Sequence, residues 1–139
     1  MQKRLLAVNS IFAAIGTAIA KALGGWDMAL QVLVALIALD YITGVAIAIA
    51  NKKLSSEIGF RGLLKKMMIF ALVYLSVLVS KATETELVRT FVIMFYIANE
   101  GISVLENAGK LGVPYPQKLK DVLIQLKKST EEEKKEESK

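Results

Sequence analysis

The stretch MALQVLVALIALDYITGVAIAIA, residues 28–50, decides the fold. It runs for 23 residues with one charge, Asp40, close to its centre. A helix on the surface of a soluble protein turns a polar stripe to water, and this stretch offers only Gln31, Asp40 and Thr43. At 1.5 Å per residue, a bilayer core of about 30 Å takes about 20 helical residues. The stretch is therefore read as a membrane span.

Outward from it, apolar runs alternate with short charged clusters. Residues 5–20 lie between Lys3-Arg4 and Lys21, residues 67–80 between Lys65-Lys66 and Lys81. Residues 87–105 form a less clean run, with Arg89 near one end and Asn99, Glu100 and Ser103 near the other. The first and third runs are short for a span, so their flanking Lys and Arg are expected to snorkel towards the headgroups. Gly24-Gly25 breaks the chain between the first two runs, and Pro114 and Pro116 stop the fourth. The expected fold is all-α, a polytopic membrane protein of about four spans, with three as the alternative. The expected division is a transmembrane domain over 1–112, an amphipathic segment over 113–128 and a disordered charged tail over 129–139. Leu119, Val122, Leu123 and Leu126 give the segment its helical spacing, and the tail has no apolar residue.

Composition agrees. Of 139 residues, 54% are hydrophobic and mean hydropathy is +0.46, an apolar excess for a globular domain of this length. There is no His and no Cys, hence no imidazole base, thiol nucleophile, thiolate metal site or disulfide. Ser76 and Ser80 have no base placed to activate them. The sequence calls for no enzyme activity, cofactor or metal.

The net charge of +5 is a topology signal. With both termini in the cytoplasm, the N-terminus, the 51–66 loop and the C-terminal tail hold 15 of the 18 Lys and Arg. The loop supplies Lys52, Lys53, Arg61, Lys65 and Lys66 as expected topology anchors. The outer connections keep Lys21, Lys81 and Arg89, balanced by Asp27, Glu84 and Glu86. Nucleic-acid binding would gather the cations on one face with interleaved aromatics, so no nucleic-acid partner is expected. Lys3-Arg4, the apolar run and Ala18-Ile19-Ala20 also have the outline of a cleavable signal, which Asn9 and Ser10 interrupt.

Polar residues inside the runs are the candidate sites. Asp40 costs about 2.5–3.5 kcal/mol at mid-span if charged, and its own span holds no Lys or Arg to pair with it. Gly44 and Ala48 follow on the same helix face and allow close helix approach. That face serves either packing within the chain or assembly between subunits. In the fourth run Asn99, Ser103 and Glu106 share a face, with Glu100 and Asn107 beside it. The spacing lacks the ligand alternation of an EF-hand.

Asp40-Tyr41-Ile42-Thr43-Gly44, Lys52-Lys53-Leu54-Ser55-Ser56 and Gly59-Phe60-Arg61-Gly62-Leu63-Leu64-Lys65-Lys66 follow one another in order. Asn99-Glu100-Gly101-Ile102-Ser103-Val104-Leu105-Glu106-Asn107 and Gly112-Val113-Pro114-Tyr115-Pro116-Gln117-Lys118-Leu119 complete the set. In this set the chain resembles the phage holin family that includes clostridial toxin-secretion holins. The resemblance implies a multi-pass protein of the bacterial cytoplasmic membrane that forms homo-oligomers and opens lesions. Through these an endolysin, or in some members a large toxin, leaves the cell, a functional link that requires no direct contact with the protein. It implies assembly roles rather than catalysis for the matched residues. Two other readings stand beside it: a small proton-coupled transporter using Asp40 or Glu100, and an antiholin of the same fold.

Overall fold

The computed structural model describes residues 1–137, with side chains through Glu132, and among these residues the chain is helical and without strands. The helices are α1 (Gln2–Ala22), α2 (Met28–Ala50), α3 (Ser56–Ala82), α4 (Leu87–Lys110) and α5 (Gln117–Glu137). The first four are long and apolar enough to cross a membrane. The expected all-α polytopic architecture with four spans is the one observed.

Local chemistry sets the helix ends. Asp27 caps α2, its carboxylate accepting the Leu30 N–H at 2.9 Å, and the Ser55 hydroxyl accepts the Ile58 N–H at the start of α3. Between α1 and α2 the backbone reverses through Gly24 and Gly25 at φ +91° and +109°, a region that side chains strain to enter. The Ser55 cap starts α3 well before residue 67. The segment expected as a long loop to Lys66 is thus five residues of connection followed by helix, with Arg61, Lys65 and Lys66 on it.

The core is narrow. Leu30, Leu33 and Ile37 of α2 meet Ile69 and Val73 of α3 and Ile93 and Ile97 of α4, each set at three- or four-residue spacing. α4 is the central element, packed by α2, α3 and α5. Elsewhere the bundle turns Leu, Ile, Val and Met outwards along α2 and α3, the surface of a protein whose solvent is lipid. α1 has no buried residue, and a wide apolar groove of about 1110 Å³ separates it from α2 and α3.

α5 departs from expectation. The tail expected to be disordered from Ser129 is helical as far as Glu137, and residues 138–139 lie outside the described part. After the turn at 111–116, α5 runs back antiparallel along α4. Leu123 lies against Gly101, Lys127 reaches Asn99, and Thr130 shares a groove with Phe91 and Val88. Leu126 packs against the core, an apolar stripe that the short run of charges after it does not interrupt.

Candidate functional site

Three helices each bring one charge to the same depth. Asp40 is ten residues from the end of α2, Lys66 ten residues into α3, and Glu100 ten residues from the end of α4. At 1.5 Å per residue, each is about 15 Å from the end of the bundle that carries the basic connection. The Lys66 ammonium donates to Asp40 Oδ2 and to Glu100 Oε2, bridging the two carboxylates. Glu100 is 2% exposed. Asn107 completes the arrangement, its amide donating to Asp40 Oδ1 and to Thr43 Oγ1, both at 2.9 Å. Among the described residues, no buried side-chain nitrogen or oxygen lacks a hydrogen-bond partner. Charges in a low-dielectric interior persist only when paired and bonded in this way.

The sequence left Asp40 without a partner because its own span has none; the partner comes from α3. Lys66, expected as a topology anchor, is instead drawn inward with a side chain 16% exposed, whereas Lys52, Lys53, Arg61 and Lys65 are exposed. The polar face of α4 is also rotated from expectation. Glu100 and Asn107 are buried, Asn99 and Ser103 are half-buried, and Glu106 faces outwards. The signal was present: Arg89, Ile93, Ile97, Glu100 and Asn107 fall on one stripe at spacings of three, four and seven. Gly44 looks towards Asn107 of α4, whose amide lies about 4 Å from where a Cβ would stand. Asn99 accepts from Lys127 Nζ at 3.2 Å, and that ammonium lies 5.9 Å from the Phe95 ring centroid.

A second polar centre, missed in the sequence, ties the opposite end. Arg89 is 6% exposed although it begins α4. Its guanidinium donates to Asp27 Oδ2 at 2.7 Å and Oδ1 at 3.3 Å, to the Leu23 carbonyl at 2.8 Å and to the Gly25 carbonyl at 3.2 Å. Its backbone N–H donates to Ser80 Oγ at 3.0 Å. One side chain thus fastens the α1–α2 turn to the α3–α4 turn. A Cβ on Gly24 would stand 2.2 Å from Arg89 Nε, so glycine is required there twice over. The guanidinium holds the Asp27 carboxyl below the usual carboxylate range, against a smaller opposing effect of burial.

Four long apolar helices, three of them meeting at a fully bonded charged cluster, with a clamp at one end, define a multi-pass membrane protein. The sequence profile of the bacteriophage holin family matches residues 17–128, and the chain belongs to that family. An "Uncharacterized 14.9 kDa protein in nagH 3'region" of Clostridium perfringens is 44% identical over 81% of this chain and 86% of its own length. An uncharacterized protein of Listeria monocytogenes is 40% identical over 81% of each chain, and the uncharacterized protein YqxH of Bacillus subtilis is 35% identical over 76% of each. No solved structure matches significantly.

Proposed function

We propose that the chain is a working holin of a bacterial cytoplasmic membrane, which oligomerises and opens lesions through which an endolysin or a large toxin leaves. The observation that carries this reading is the family match laid over spans α2 to α4 and the end of α1. The family is one of membrane pore formers rather than enzymes.

The cluster supports a two-stage behaviour. With Asp40, Lys66, Glu100 and Asn107 bonded within one chain, a single subunit presents mostly apolar helix faces to lipid and accumulates without harm. Earlier stages therefore need no neighbouring subunit to satisfy these groups. When subunits crowd together, the same groups supply polar lining to a wetted edge. The exposed basic residues of the 51–66 region hold that end on the cytoplasmic side, each worth about 1 kcal/mol near anionic lipid.

The test is induced expression in a bacterium with membrane potential and respiration followed over time. A lesion former collapses the potential abruptly at a defined time and stops respiration. A preserved potential with altered tolerance to toxic cations would replace this reading with a proton-coupled carrier. Failure to lyse alone, with delay of lysis by a partner, would replace it with an antiholin.

A further inference from the structure

α5 runs back along α4, which is itself a candidate span. Lys127 meets Asn99, halfway along α4. The inward stripe of α5 is apolar and well seated: Leu123 fills the space left by Gly101, where a Cβ would stand 2.9 Å from its Cδ1, and Leu126 joins the core. The outward face is predominantly charged, with Leu119 and Val122 also exposed on it. Lys118, Asp121, Lys128, Glu131 and Glu132 are all exposed. Lipid does not solvate such a face, and long side chains snorkel only near helix ends. A helix seated here with charges outward needs water on its far side at the depth where α4 crosses the bilayer. Lipid surrounds an isolated subunit, whereas an assembly of copies encloses water.

We propose that α5 is a lumen-lining element of the open assembly: it lies away from the spans while lipid bathes α4, and takes its seat on Gly101 and Asn99 only where that face of α4 meets water. This rests on the lesion-forming reading above. The seat is then a device that couples opening to a change of place by one helix, which adds mixed Lys, Asp and Glu to the polar lining supplied by the spans.

The chain has no Cys, so an introduced pair is the sole pair present. Gly101→Cys with Leu123→Cys reports the seat by disulfide, and Asn99→Cys with Lys127→Cys by a short bis-maleimide linker that replaces the reach of the lysine, so that the result does not hang on one variant folding. Each full-length variant is expressed in bacteria while a dye follows membrane potential. Samples are oxidised, or treated with the linker, before and after collapse. Disulfide closure is read as protection from a mass-tagged maleimide, and linker closure from the mass of the cross-linked chain. The expected result is little closure before collapse and a severalfold rise after it. Equal closure before collapse, or collapse with both pairs open throughout, overturns the proposal and leaves the lesion-forming reading intact. A wild-type chain that never collapses the potential overturns that reading and this one with it.

Discussion

Lys66 is the one cation between two carboxylates from different helices, so removing each member of the cluster leaves a different remainder. Lys66→Met leaves Asp40 and Glu100 facing each other without a counter-ion. Breaking a buried pair in this way costs about 3–5 kcal/mol, expected as a lowered thermal midpoint in detergent and poor accumulation in membranes. Glu100→Gln keeps the Lys66–Asp40 pair and is expected to cost clearly less. At the other end, Asp27 predicts a pH dependence. Because Arg89 depresses its folded-state pKa, the folded chain binds that proton less readily than the unfolded one. The stabilisation is complete above the ordinary carboxylate range and is lost as pH falls through the folded value. Unfolding midpoints in detergent between about pH 6 and about pH 3 should fall less steeply in Asp27→Asn than in the parent. Both centres were half legible: sequence located the charges, but partners 26 and 62 residues apart become neighbours only through packing.

Among the elements, α3 and α5 teach most about reading a sequence. The apolar run at 67–80 is the second half of α3 and does not mark its start, since Lys65 and Lys66 read as a span boundary when hydropathy alone is used. The Ser55 cap was the signal that would have moved the boundary. α2, uniformly apolar, was legible to the residue because nothing competes with its hydropathy. The length of α5 was hidden because its last turns are charged throughout, and only the first part carries an apolar stripe. A side chain at residue 101 should unseat it. Gly101→Leu drives a branched group into Leu123, and the expected outcome is faster proteolytic trimming of α5 in membranes sampled after collapse of the potential, with Gly16→Leu as an inert control because nothing lies within 4 Å of that glycine.

For the whole molecule, charge placement and fold agree on direction. The α2–α3 connection and the α4–α5 turn lie at one end, and the Arg89 clamp draws the α1–α2 and α3–α4 turns together at the other. Since Lys66 is committed to the cluster, four exposed cations remain to orient the 51–66 region: Lys52, Lys53, Arg61 and Lys65. Changing those four to Gln should let a share of chains insert the other way, read by reporter fusions at the two termini. Lys66→Gln in place of one of them should lower yield without changing orientation. Such a contrast separates a cation that sets direction from one that holds helices together, a distinction that counting Lys and Arg does not make.

α1 stands apart from all of this. It buries no residue of its own, Gly16 has nothing near it, and the family match begins only at residue 17. A segment that touches so little is answerable to length and oiliness alone, not to spelling. With Lys3 and Arg4 kept in place, residues 5–16 should therefore be exchangeable for a shuffled version of themselves with little change in the stability of the remaining bundle. They are the part of the chain that natural drift, or an engineer adding a tag, can rewrite most freely.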